Sequence, residues 1–139
     1  MTKRTYVDSC LLIAAYQGTQ DISNAALEIL DDPERQFVVS SYLELELLPK
    51  PLFYSRDEEV GFMRQFFACA SACIEPSRTV VERALTLAAK YDLAPIDALH
   101  VSAANAANVD ELVTLEGATK PMLRVREVNV VSLRSLSIE

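Results

Sequence analysis

Residues 94–117 read APIDALHVSAANAANVDELVTLEG, and the two halves of this stretch carry different periods. In the first half Ile96, Leu99, Ala103 and Ala107 recur every three or four residues, as on the buried side of a helix. Pro95 suits the first turn of that helix, where its missing N–H is not needed. In the second half Leu112–Leu115 form a short apolar run that stops at Glu116 and Gly117, which reads as a strand. A compact helix followed at once by a strand is half of a βαβ unit. Such units build parallel sheets with helices on both faces. The stretch also places one acid, Asp97, in the first turn of the helix and another, Glu116, at the end of the strand. Either could be a solvated charge. In open α/β sheets, however, chemistry gathers at the carboxyl ends of strands.

The remaining chain repeats the alternation. Thr5–Val7 reads as a short buried strand ending at Asp8, with Ser9 expected to cap a helix carrying Leu11, Leu12, Ala15 and Tyr16. A second helix is expected over about 21–30. QFVVSS (36–41) is the second strand, and Ser40 or Ser41 caps the helix YLELELL (42–48). Pro49 and Pro51 should stop or kink that helix near Leu48. Residues 55–73 read as one long helix capped by Ser55, with Cys69 and Cys73 four apart on it. IEP (74–76) is a connector or strand, 77–92 a helix, and VNVVSL (128–133) a last strand. The expected fold is a three-layer α/β/α sandwich on a central, mainly parallel sheet of about five strands, with residues 1–139 as one domain.

Half of the 139 residues are hydrophobic, which suits a single packed core. The formal charge of −7 argues against broad coating of nucleic acid, which depends on Lys and Arg neutralising phosphates. It leaves nucleic acid open as a substrate, because bound cations offset carboxylate charge locally. Three cysteines and one histidine exclude a multi-histidine zinc site. The apolar run after Lys3 and Arg4 is broken by Asp8, and nothing approaches a membrane-spanning length. A cytoplasmic protein that does not enter the membrane is expected.

Four acids then fall at special places: Asp8 after the first strand, Glu46 in the helix after the second, Asp97 and Glu116. Mg²⁺ and Mn²⁺ are hard cations that take oxygen ligands. Clustered carboxylates repel one another, and bound ions make the cluster tolerable while orienting water toward a phosphodiester. Glu44 competes with Glu46. Two positions apart on a helix, they point to roughly opposite sides, and physics alone does not choose between them.

The segments TYVDSCLLIAAY, SSYLELELL and APIDALHVSAANAANVDELVTLEG, in this order, resemble the successive motifs of PIN-domain nucleases. That family includes the toxins of VapBC-type toxin–antitoxin systems. The resemblance spans almost the whole chain. Its most specific part is D-A-L-H-x-x-A-A followed by a strand ending in an acid. It implies metal-dependent cleavage of RNA with Mg²⁺ or Mn²⁺, and it matches the four family acids to Asp8, Glu46, Asp97 and Glu116. Ser9 and Thr114 match the hydroxyl residues that support them. Glu116 departs from the family's usual aspartate by one methylene, and Cys10 stands where Asn or Ser is frequent. His100 belongs to the motif, but its apolar neighbours point to packing or support rather than catalysis. Lys50, Lys120 and Arg124 are the basic residues available to hold RNA phosphates. The resemblance further implies a small antitoxin partner and a homodimer. The competing reading is a PIN-like binding module, weakly active or inactive, that regulates through protein or RNA partners.

Overall fold

The computed structural model describes residues 2–117 and 119–134. Its sheet has five strands, β1 (Lys3–Val7), β2 (Arg35–Ser40), β3 (Ala72–Ile74), β4 (Glu111–Thr114) and β5 (Val130–Ser132). All neighbours pair in parallel, in the order β3-β2-β1-β4-β5. Helices α1 (Ser9–Gln17) and α2 (Gln20–Leu30) link β1 to β2. Helices α3 (Ser41–Leu47), α4 (Pro49–Phe53) and α5 (Asp57–Cys69) link β2 to β3. Helices α6 (Arg78–Tyr91) and α7 (Pro95–Ala106) link β3 to β4, and a 3₁₀ turn, Pro121–Arg124, lies before β5.

Alternation along the central strands divides the core in two. Tyr6, Val38 and Leu112 pack with Ala84, Leu87, Ala98 and Val101 of α6 and α7. Their neighbours Val7, Val39 and Val113 point the other way, onto Leu11, Leu12, Leu43 and Met63 of α1, α3 and α5. Both faces of the sheet are therefore covered, as an all-parallel sheet requires, because its strands have no face to give to water. The expected α/β/α sandwich is the observed one. Among the described residues no helix is long and apolar enough to cross a membrane.

The strand order sets the place of the site. From β1 the chain builds outward through β2 and β3, then returns to lay β4 on the other side of β1. Order thus reverses between β1 and β4, and a crevice opens at their carboxyl ends. Val7 pairs with Val113, and the Asp8 N–H donates to the Val113 carbonyl at 3.3 Å. Asp8 and Thr114 consequently leave the sheet side by side.

Two local expectations are corrected. The long helix over 55–73 is shorter: Ser55 sits in the left-handed region at φ 55, α5 ends at Cys69, and Ala72–Ile74 is a strand. The segment 68–73, made of Ala, Ser and Cys, has weak preferences of its own. Pairing with the free edge of β2 decides its state. Cys69 and Cys73 therefore lie on different elements. Asp8, rather than Ser9, is the N-cap of α1, its side chain accepting from the Leu11 N–H. As expected, α3 stops near Leu48, where the chain bends and α4 starts with Pro49 in its first turn. Ser40 is the cap of α3.

Candidate active site

Asp8 is 5% exposed, and both its oxygens are engaged. Oδ1 accepts from Cys10 Sγ at 2.9 Å and from the Leu11 N–H at 3.4 Å, and Oδ2 accepts from Thr114 Oγ1. Thr114 Oγ1 in turn accepts from the Glu116 N–H at 3.0 Å, and Cys10 Sγ from the Leu115 N–H at 3.4 Å. Two small side chains thus tie the segment after β4 to the carboxylate after β1. Burial pushes the Asp8 carboxyl above its usual range, against the pull of the Cys10 and Thr114 hydrogen bonds. Burial, then the charge and hydrogen bond of Asp8, push the Cys10 thiol up to about 12, so it stays protonated and can donate.

Glu46 lies in the last turn of α3. Its Oε1 pairs with His100 Nε2 at 2.8 Å, and the Ser9 hydroxyl also bonds to it. Burial works to raise the Glu46 carboxyl, but the hydrogen bonds from His100 and Ser9 outweigh it and hold the group below its usual range. Glu44 is exposed and lines a separate apolar groove with Leu45, Leu48 and Leu52. The two glutamates thus leave α3 in different directions, Glu46 toward His100 and Ser9 and Glu44 toward that groove. His100 itself is 1% exposed, and its Nδ1 pairs with the Tyr6 hydroxyl at 2.7 Å.

Asp97 is half-buried in the first turn of α7. Burial, and then the charge of Glu116, raise its carboxyl above the usual range, with Asp8 and Glu46 adding to the effect. The four acids therefore share one electrostatic neighbourhood. Glu116 is half-buried at its edge, its carbonyl accepting from Ser132 Oγ at 2.6 Å. It borders a groove of about 640 Å³ with Cys10, Ile13, Ile22, Lys120 and Arg134.

Among the described residues, no three His, Cys, Asp or Glu side chains are grouped closely enough to hold a metal ion as they stand. The chemistry of the donors nevertheless fits a hard divalent cation. The four acids offer only oxygen, and Asp8 and Asp97 carry raised carboxyls that a cation would bring down. Of the expected basic residues, Lys120 stands in the groove beside Glu116. Lys50 is exposed on α4, while the Arg124 guanidinium is held by the Tyr91 carbonyl at 3.3 Å, in a different hollow. Sequence reasoning missed Arg134 in the groove, the donation from Cys10 to Asp8, and the Tyr6–His100 bond. Tyr6 could have been suspected from its place two residues before Asp8. Nothing in the sequence marks Arg134.

Fold and site together define a doubly wound α/β domain with Asp8 and Glu116 following β1 and β4, where its strand order reverses. The chain belongs to the PIN domain family, whose model matches residues 5–118. Among solved structures it is similar in fold to VapBC2 of Rickettsia felis, solved bound to a DNA fragment from their promoter. That match has a TM-score of 0.69 and 15% identity, covering 93% of this chain and 98% of that one. A toxin–antitoxin complex from Klebsiella pneumoniae matches with a TM-score of 0.68 and 22% identity, over 92% of this chain and 96% of that one. DNA-bound VapBC from Salmonella typhimurium matches with a TM-score of 0.66 and 12% identity, over 95% and 98%. The comparison with curated protein sequences gives no significant match.

Proposed function

We propose that the protein is a metal-dependent endoribonuclease that hydrolyses RNA phosphodiester bonds, with Asp8, Glu46, Asp97 and Glu116 as its acids. The observation that carries this reading is membership of the PIN domain family over residues 5–118, together with Asp8 and Glu116 following the adjacent strands β1 and β4. Mg²⁺ or Mn²⁺ is the cofactor that an all-oxygen donor set of this kind selects. When bound, such an ion supplies positive charge to the scissile phosphate and makes water easier to deprotonate. The chain's own residues do the rest. Thr114 and Cys10 hold Asp8, Ser9 and His100 hold Glu46, and Glu116 stands between the acids and the groove. Lys120 and Arg134 flank that groove and are suited to RNA phosphates, whereas Lys50 is a more distant candidate and Arg124 has a structural partner.

The VapBC-like fold supports a toxin role, with a small antitoxin as protein partner, a homodimeric state and a cytoplasmic setting. A PIN-like module that binds without useful catalysis is the second reading. The separation of the acids favours it, as does the extra methylene of Glu116. The test is cleavage of a structured RNA pool with Mg²⁺ or Mn²⁺, beside EDTA and the Asp97→Asn variant. Cleavage abolished by both controls is the expected result. Cleavage that survives both would sink the mechanism, and calorimetry showing no Mn²⁺ uptake would favour the binding module.

A further inference from the structure

A second hydrogen-bonded chain lies beneath the acids and contains none of the residues that line the groove. It runs from Ser40 through Tyr6 to His100 and ends on Glu46. Ser40 Oγ and the Tyr6 hydroxyl are 2.6 Å apart, the Tyr6 hydroxyl and His100 Nδ1 2.7 Å, and His100 Nε2 and Glu46 Oε1 2.8 Å. Ser40 and Tyr6 are fully buried, and His100 is nearly so. The Tyr6 and His100 rings also pack at 5.7 Å between centroids, so neither ring is free to turn without repacking.

The direction of the chain follows from counting protons. Ser40 Oγ already accepts from the Leu43 N–H at 3.1 Å, as the N-cap of α3. Its own hydroxyl proton and that of Tyr6 both need acceptors, because a buried hydroxyl without a partner is costly. Among the described residues, Ser40 can pass its proton only toward Tyr6, and Tyr6 then passes its own toward His100 Nδ1. Nδ1 must therefore be bare. A proton on Nδ1 would strand one of the two buried hydroxyl protons. The ring proton that faces Glu46 is then the one on Nε2.

The chain also joins the elements that bring in Asp8, Glu46 and Asp97. Tyr6 lies on β1, two residues before Asp8. Ser40 ends β2 and caps the helix that carries Glu46, and His100 lies one turn beyond Asp97 on α7. We infer that Ser40, Tyr6 and His100 are positioning residues. Together they fix the Nε2–H tautomer of His100 and so hold Glu46 toward Asp8 and Asp97. This rests on the metal-nuclease reading above for its purpose, but the tautomer itself does not depend on that reading. The logic is that of outer hydrogen bonds that orient metal-binding side chains.

His100 is the only histidine, so one imidazole signal reports on the chain without assignment. Long-range proton–nitrogen NMR of the full protein, in the absence of divalent ions, should show a single Nε2–H tautomer with Nδ1 accepting a hydrogen bond. In Tyr6→Phe, which keeps the ring, that acceptor signature should be lost. Mn²⁺ affinity by calorimetry should fall roughly 10-fold, with cooperative unfolding preserved. His100→Ala should lower Mn²⁺ affinity at least as much. His100→Gln, which can still present an N–H to Glu46, should recover most of the loss. A proton found on Nδ1 in the wild type overturns the relay. Unchanged Mn²⁺ affinity in a folded Tyr6→Phe, or equal losses in the Ala and Gln variants, overturns the positioning role. If the wild type takes up no Mn²⁺ at all, the nuclease reading fails and the positioning role with it, while the tautomer still decides whether the relay exists.

Discussion

Thr114→Val tests most directly how the site is held together. Valine matches threonine in shape, so the packing of β4 survives and only the hydroxyl is lost. That hydroxyl is a donor to the buried Asp8 carboxylate and an acceptor for the Glu116 N–H at 3.0 Å. A hydrogen bond to a charged group contributes about 1.5–3 kcal/mol. The half-exposed Glu116 N–H can turn to water, so only the Asp8 bond enters the sum. The expected loss is therefore about 2 kcal/mol, or roughly 8 °C in melting temperature for a chain of this size. Thr114→Ser keeps the hydroxyl and loses one buried methyl, which costs about 0.8 kcal/mol. Urea unfolding at pH 7 should place valine well below serine, with unchanged slopes. Asp8 should also hold its proton more tightly in the valine variant, because one of the bonds that lowers its pKa is gone. Metal uptake should weaken accordingly. Equal stability of the two variants, or a valine variant as stable as wild type, would refute the claim that Thr114 acts through Asp8.

The pH dependence of the metal-free protein should have an unusual sign. Asp8 and Asp97 bind protons more tightly folded than unfolded, so mild acidification from pH 7 should raise the melting temperature. Glu46 and Glu111 are held below the usual range, so their contribution starts to decline below about pH 4.3 and is lost as the pH falls through their lowered folded values. Thermal melts that decline steadily from pH 7 downward would contradict this. Mn²⁺ should raise the melting temperature with a dependence on concentration, and Asp97→Asn should remove most of that rise. A variant that gains as much from Mn²⁺ as wild type places the ion elsewhere. Glu111→Ala, at the amino end of β4, should cost about 3 kcal/mol in urea unfolding by stranding buried polar partners. It should leave Mn²⁺ affinity unchanged, and a matched loss of affinity would show that the two ends of the strand are coupled.

The helix–strand stretch 94–117 was legible because period and length agree there. Ile96, Leu99 and Ala103 cannot line one face of a strand, and Leu112–Leu115 is too short for a helix. The strand Ala72–Ile74 was not legible, because its three residues are held by the edge of β2 rather than by any preference of their own. The same distinction runs through the site. Asp8, Asp97 and Glu116 announce themselves by position, each at the end of a strand or the start of a helix. Glu46 over Glu44 required either a family pattern or the direction of α3. The partners of these acids were hidden for a different reason. Tyr6, Cys10 and Ser40 look like ordinary core or cap residues. The roles of Tyr6 and Ser40 appear only when β1, β2 and α7 are brought together across 34 to 94 residues of chain, and that of Cys10 when the segment after β4 reaches α1 across 105.

The two ends of the central strands treat buried charge in opposite ways, and the contrast bears on function. At the amino ends, Glu111 is 4% exposed, yet it accepts from Arg35 Nε and Thr5 Oγ1, each at 2.7 Å, with Lys3 at 3.7 Å. Burial raises its carboxyl, but those bonds and charges more than reverse the effect, and it stays ionised. At the carboxyl ends, Asp8 is buried to a similar degree, and Asp97 about half, beside further carboxylates. Among the described residues no lysine or arginine forms an ion pair with either of them. The chain can therefore neutralise a buried acid where it has only to hold the sheet together. Where β1 and β4 open into the crevice it sets no lysine or arginine against Asp8 or Asp97, and the hydrogen-bond donors there are the Cys10 thiol and Thr114 hydroxyl to Asp8 and the His100 imidazole to Glu46. The thiol and the hydroxyl fix Asp8 in place without satisfying its charge. A site that is positioned yet short of positive charge is one that a divalent cation and a phosphodiester can complete, and this shortage is the physical ground for preferring a metal nuclease over a purely structural acid cluster.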